Sequence, residues 1–180
     1  MSSRRWPPFS TRWSPDPVAT KRSSGILLYR NRDDGETEFL LIHPGGPYWS
    51  KRDDGAWSIP KGGIEGEEES REAALRELDE ELGSGAPDLE PEELIDLGSI
   101  RQRAGKVVEA WAAEGDFDPE ELDSNTFEME WPPKSGREVE FPEVDRADWF
   151  ELETARRKLL PAQGEFLDRL LEHLGRPVVG

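Results

Sequence analysis

The run Gly62-Gly63-Ile64-Glu65-Gly66-Glu67-Glu68-Glu69-Ser70-Arg71-Glu72-Ala73-Ala74-Leu75-Arg76-Glu77-Leu78-Asp79-Glu80-Glu81-Leu82-Gly83 constrains this chain more than any other. Ala74, Leu78 and Leu82 recur every four residues and Leu75 joins them, so the spacing predicts a helix from Glu67 to Leu82 with one apolar stripe. Gly83 supplies the expected C-terminal stop. At about 100° per residue, Glu77, Glu80 and Glu81 fall within an arc of roughly 100°, displaced roughly 120° from the stripe. One face can therefore pack on a sheet while its neighbour gathers three carboxylates. Like charges at i, i+3 and i+4 destabilise a helix by roughly 0.2–0.5 kcal/mol per pair. An external cation would offset that repulsion.

A hard divalent ion suits such a face. Magnesium takes oxygen ligands, keeps several waters, and binds through one or two carboxylates together with substrate phosphates. Phosphoanhydrides resist hydrolysis because their charged oxygens repel a nucleophile and the leaving phosphate needs its charge neutralised; metal ions address both. One carboxylate can be left over as general base. The plainer alternative is a solvated acidic face, since the chain carries 40 acidic residues against 23 basic ones, a net charge of −17. That charge also opposes non-specific binding to nucleic acid or an anionic membrane. There is no cysteine, and His43 and His173 are the two histidines, so thiolate chemistry is excluded and a His/Cys zinc site nearly so. No apolar run approaches the length of a membrane span, and no apolar stretch follows the charged N-terminus as in a secretory signal. The expected setting is the cytoplasm.

Around the central run, residues 1–21, rich in Ser, Arg and Pro, read as a flexible arm ahead of a single domain at 22–180. Gly25–Tyr29 and Glu38–His43 flank an Asp-Gly turn and predict a hairpin. Trp57–Pro60 is brief and extended, because Pro60 biases Ile59 away from helix. Leu94–Ile100 and Lys106–Ala113 predict further strands, with Val107, Val108 and Trp111 as their bulk. Glu114–Gly136 reads as a long acidic loop, Val139–Phe141 and Ala147–Phe150 as extended, and two helices close the chain at about 152–160 and 166–174.

The central run resembles the Nudix box, Gly-x5-Glu-x7-Arg-Glu-apolar-x-Glu-Glu-x-Gly-apolar. Gly62, Glu68, Arg76, Glu77, Leu78, Glu80, Glu81 and Gly83 are all in register, and Ser84 departs from the pattern at a packing position. Chance coincidence is about 10⁻⁶ to 10⁻⁷ per start, which turns the balance against a merely solvated face. The resemblance implies an α+β fold, an αβα sandwich with a mixed β-sheet, and a Mg²⁺-dependent hydrolase in which Mn²⁺ substitutes. Carried over by position, Glu80 and Glu81 are expected metal ligands, Glu77 a third ligand or the base, Arg76 their orienter through Glu68, and the Lys61 carbonyl a further ligand. Glu140 and Glu143 are candidate bases from outside the box. Trp57-Ser58-Ile59-Pro60-Lys61-Gly62 resembles the Trp-x-x-Pro-Lys-Gly entry of diadenosine tetraphosphate hydrolases, diphosphoinositol phosphatases and RNA 5′-pyrophosphohydrolases, in which Lys61 would meet a phosphate.

Substrate contacts beyond the box are expected from aromatics in glycine- and proline-rich loops. Tyr48, Trp49 and Trp131 are candidates to stack on a base, the alternative being that they pack their loops down. Lys51, Arg52, Arg101, Arg103, Lys106, Lys134 and Arg137 are available to phosphate, and the sequence does not rank them. His43, at a strand end, reads as structural. The expected partner is a nucleotide-like small molecule, a dinucleoside polyphosphate or an NTP, with nucleic acid confined to an RNA 5′ end and the protein a monomer or homodimer. The competing readings are a Nudix module that binds a nucleotide as a regulator, and an acidic interaction protein with a fortuitous motif.

Overall fold

The computed structural model describes residues 21–178, so the arm expected at 1–21 lies outside the described residues except for Lys21. In chain order the elements are β1 (Arg22–Asn31), β2 (Thr37–Pro44), β3 (Lys61–Gly63), α1 (Ser70–Leu82), β4 (Ile95–Arg101), β5 (Val107–Glu114), β6 (Thr126–Glu130), β7 (Glu138–Pro142), β8 (Val144–Glu151), α2 (Leu152–Lys158) and α3 (Gly164–His173). The main sheet runs β4-β5-β1-β2-β8, with β1 parallel to β5 and the other neighbours antiparallel. The expected sandwich around a mixed sheet is what the chain forms.

Both faces of the sheet are covered, which is why the central strands read as unbroken apolar runs rather than alternating ones. Ile26, Leu28, Leu40 and Ile42 face Ala74, Leu78 and Leu82 of α1. Leu27, Tyr29, Phe39 and Leu41 face the other way, onto Ala155, Phe166, Leu167, Leu170 and Leu171 of α2 and α3. Fully burying a leucine such as Leu78 contributes about 1.5–3 kcal/mol. That packing holds α1 in place, since its N-cap residue, Glu69, makes no side-chain capping bond. Among the described residues no helix is long and apolar enough to cross a membrane.

The sheet has a split, and the split positions the site. β2 pairs with the far half of β1, through Tyr29↔Phe39 to Asn31↔Thr37. At the near half, Ser23, Ser24 and Gly25 pair instead with Gly63, Gly62 and Lys61 of β3. The Ile26 N–H donates to the Pro60 carbonyl, and Ile42 exchanges backbone hydrogen bonds with Ser58. The segment from Trp57 to Gly63 is thus a wedge between two diverging strands, with α1 directly after it in the chain.

Two sequence expectations are corrected. The helix expected from Glu67 begins at Ser70, because the chain turns at Gly66 (φ 54°) and the Glu68 carboxylate accepts from the Glu65 N–H rather than joining the helix. The loop expected over Glu114–Gly136 contains β6, which pairs with β7 as a separate hairpin. Its alternation of Phe127 and Met129 with acidic residues is a strand pattern that the high acidic content disguised. The rungs Phe127↔Phe141 and Met129↔Val139 share one face, while Glu128↔Glu140 and Glu130↔Glu138 share the other.

Candidate functional site

Arg76 is the hub of the α1 surface. Its Nε and Nη2 donate to the two Glu68 carboxylate oxygens at 2.8 and 2.9 Å, a bidentate fork. Nη1 donates to Glu77 at 2.9 Å and to Glu80 at 3.2 Å, and Nη2 also reaches the Gly63 carbonyl at 2.9 Å. The Glu68 carboxylate, above all, holds the guanidinium protonated. In return Arg76 holds the Glu68 carboxyl below its usual range.

Glu77 and Glu81 are the buried members of the acidic set. The Glu77 carboxylate lies directly over Gly62: a methyl group on that glycine would sit 2.0 Å from the carboxyl carbon, so only glycine leaves it a seat. The backbone N–H of Lys61 donates to Glu81 at 2.9 Å. Burial raises the Glu77 carboxyl, against the pull of Arg76. Burial also pushes the Glu81 carboxyl up to about 8; the Lys61 N–H opposes this, and Glu77 and Glu143 add to it. Glu80 is the more exposed member and turns to Arg76.

Glu81 opens into a cleft of about 190 Å³ whose walls include Trp49, Ser58, Lys61, Glu143, Val144 and Leu160. Glu143 therefore reaches the site from β8's entry, while Glu140 does not: it sits on the exposed face of β7 opposite Glu128. Of the three candidate aromatics, Trp49 lines the cleft, with the Arg52 guanidinium 5.5 Å from its ring centroid. Tyr48 is 60% exposed and stands edge-on to Trp131, with ring centroids 5.4 Å apart. They pack against each other, outside the cleft wall.

Sequence reasoning left Lys106 unranked and missed Leu160 and Gln163. Burial, and next the charge of Lys106, lower the Lys61 ammonium to about 8, while Glu81 pulls it back up. Lys106 is thus close enough for its charge to bear on Lys61 in the cleft wall. Gln163, fully buried, accepts from the Ile59 N–H and donates to Ser58 and Gln102, tying the wedge to the loop before β5. Leu160 belongs both to the Glu81 cleft and to a second hollow of about 560 Å³ lined by Arg101, Gln102, Arg103, Pro161 and Ala162. No motif announces these contacts, because the Gln163 bonds join residues 61 to 105 positions apart in the sequence.

The residues present fit a hard divalent cation. Their donors are carboxylate oxygens, and Glu77, Glu80 and Glu81 crowd the C-terminal half of α1, whose last turn carries no basic residue. The helix dipole makes that end unfavourable for anions. Among the described residues no three acidic or histidine side chains are already closed into a cage: Glu77 and Glu80 lean on Arg76, and Glu81 on Lys61. The carboxylates are gathered on one strip with too little positive charge to satisfy them.

That imbalance has a pH signature. In metal-free protein the raised Glu81 carboxyl adds stability that is full below its ordinary value of 4.5 and is lost as pH rises through about 8. Glu77 acts in the same sense. Lys61 acts oppositely and higher, its burden easing as pH climbs from about 8 toward 10.5. Chelated protein is expected to melt at progressively lower temperature from about pH 5 to about 8, with Mg²⁺ restoring more of the loss at each step. Melting curves with EDTA or Mg²⁺ across that range check this; a Mg²⁺ increment independent of pH would contradict it.

Comparison with known proteins agrees with this geometry. Residues 19–170 match the family model of the NUDIX domain. The chain belongs to the Nudix family and is a Nudix hydrolase. An RNA pyrophosphohydrolase of Bartonella henselae is 29% identical over 148 residues, covering 74% of this chain and 78% of that protein. An RNA pyrophosphohydrolase of Acidiphilium cryptum is 54% identical over 33 residues, a match spanning 18% of this chain and 20% of that protein. The crystal structure of a C. elegans Ap4A hydrolase binary complex aligns with a TM-score of 0.56 at 23% identity, covering 85% of this chain and 98% of that one. That last likeness is one of fold.

Proposed function

We propose that this chain is a Mg²⁺- or Mn²⁺-dependent pyrophosphohydrolase cleaving a phosphoanhydride in a substrate built on a nucleoside diphosphate, in the cytoplasm. A dinucleoside polyphosphate is the favoured substrate, ahead of an NTP and of an RNA 5′ end. The observation that carries this reading is the groove. The cleft at Glu81 carries Lys61, on which Lys106 bears, and it shares Leu160 with a second hollow lined by Arg101 and Arg103. A chain of phosphates with a nucleoside at each end has the length and charge to use both hollows; an NTP uses one. The names of the relatives, RNA pyrophosphohydrolase and Ap4A hydrolase, lend support on the reaction class.

In this reading Glu77, Glu80, Glu81 and the Lys61 carbonyl hold the divalent ion. When bound, the ion neutralises phosphate oxygens and makes a bound water a better nucleophile. Arg76 keeps Glu77 and Glu80 in orientation and Glu68 keeps Arg76. Glu143, across the cleft from Glu81, accepts the proton of the attacking water. The Lys61 and Lys106 ammonium groups bind the polyphosphate, and the Trp49 ring stacks on a base. The regulatory-module reading is weaker, because an inert binder would have no use for buried like charges at Glu77 and Glu81.

The test is phosphate release from ATP, diadenosine tetraphosphate and a 5′-triphosphorylated RNA oligonucleotide, each with Mg²⁺ or Mn²⁺. The dinucleotide is expected to give the highest kcat/KM. Lys106→Met is expected to raise its KM about tenfold, and that of ATP by less, as loss of one charge-assisted phosphate contact implies. Turnover of none of the three would overturn the enzyme reading, and a preference for RNA would move the substrate assignment there.

A further inference from the structure

His43 is fully buried at the end of β2, edge-on to Trp57 at 5.3 Å between ring centroids. Its two ring nitrogens have partners in two different segments, the loop that carries Trp49 and the start of β8. Nε2 lies 2.6 Å from the Arg52 carbonyl, and since a carbonyl oxygen only accepts, Nε2 donates. Nδ1 lies 2.6 Å from the Asp145 carboxylate.

Each partner leads to a working residue within a few bonds. The Arg52 N–H donates to the Trp49 carbonyl, and the Arg52 guanidinium covers the Trp49 ring, so fixing Arg52 fixes the turn that carries Trp49. Asp145 lies two residues after Glu143, beside the irregularity where β8 slips register against His43 and Pro44. Glu143 itself is pinned through its backbone, its N–H to the Asn125 carbonyl and its own carbonyl to the Gly45 N–H. His43 is the one side chain that bonds both the Trp49 loop and the Glu143 strand among the described residues.

We propose that His43 is a positioning residue that sets the spacing between the Trp49 wall and Glu143, through its bonds to the Arg52 carbonyl and to Asp145. The inference rests on the reading above, in which Trp49 binds substrate and Glu143 takes a proton. It assigns separate kinetic consequences to the two nitrogens. The Nε2 bond governs substrate binding, and the Nδ1 bond governs the chemical step.

Two near-isosteric substitutions separate them. The amide of glutamine reaches the place of Nε2, and that of asparagine the place of Nδ1. His43→Asn keeps a donor for Asp145 and releases Arg52; it is expected to raise KM about tenfold with kcat nearly unchanged. His43→Gln keeps the Arg52 bond and releases Asp145; it is expected to lower kcat about tenfold with KM nearly unchanged, as a misplaced catalytic group implies. Because His43 is in the core, Asp145→Ala serves as a second variant on a more exposed residue, with the same kcat loss expected. Trp49→Ala and Glu143→Gln are measured alongside, and each is expected to abolish the matching effect of its His43 partner variant.

A merely structural histidine would lower the active fraction in both variants alike, reducing kcat in each with KM unmoved. That outcome overturns the inference, as does an unaltered split in the Trp49→Ala and Glu143→Gln backgrounds. If Trp49→Ala and Glu143→Gln themselves change nothing, the functional reading fails and this inference with it. If they change activity while the His43 and Asp145 variants do not, the inference alone falls.

Discussion

Glu80→Gln and Glu81→Gln combined are expected to lower kcat by about 10³-fold or more, the scale on which removing a charge-stabilising group acts in a water-excluded site. The fold is expected to survive. A glutamine at 81 still accepts from the Lys61 N–H, and it removes a buried charge that burial disfavours. Glu80 is partly exposed, and the Arg76 Nη1 that it shares keeps its bond to Glu77 while Nε and Nη2 keep Glu68. Calorimetric titration with Mg²⁺ should show binding in the wild type and none in the variant, with melting temperature equal or higher in the variant without metal. Wild-type-like turnover in the double variant would remove these residues from the metal site.

Glu143→Gln is expected to reduce kcat by about 10²- to 10⁴-fold, the range of a lost general base. Unlike the first variant it should retain Mg²⁺ affinity, and this separates a base from a ligand. Glu140→Gln is the matched control. Its side chain lies on the solvent face of β7 opposite Glu128, so replacing it relieves a like-charge rung and leaves turnover alone. If Glu140→Gln proves the damaging change and Glu143→Gln the silent one, the assignment of the base is reversed.

The box helix, the hairpin of β1 and β2 and the two closing helices were legible because each carries a periodicity that burial imposes. Leu78 and Leu82 had to face a sheet, and Phe39 to Ile42 had to be covered on both sides. The joint placement of Glu77, Glu80 and Glu81 followed from helix geometry alone. What geometry could not supply was their partners. Whether Glu77 turns to Arg76 or to solvent depends on the wedge at Gly62, which sits there only because β1 and β2 diverge. The same holds for the second lysine: Lys106 is one of seven equivalent-looking cations in the sequence, and only the folded chain brings its charge to bear on Lys61. The hairpin of β6 and β7 was hidden for a different reason. Its apolar face is narrow, and its other face stacks glutamate on glutamate, a pairing that propensity argues against.

The seat that Gly62 provides for the Glu77 carboxylate binds the histories of two positions fifteen residues apart. Any side chain at 62 evicts the acid, and losing the acid removes the reason for a bare backbone there. Drift at one position therefore licenses drift at the other, and the pair is inherited or abandoned as a unit. A descendant of this chain that keeps the acid at 77 in its seat must also keep glycine at 62.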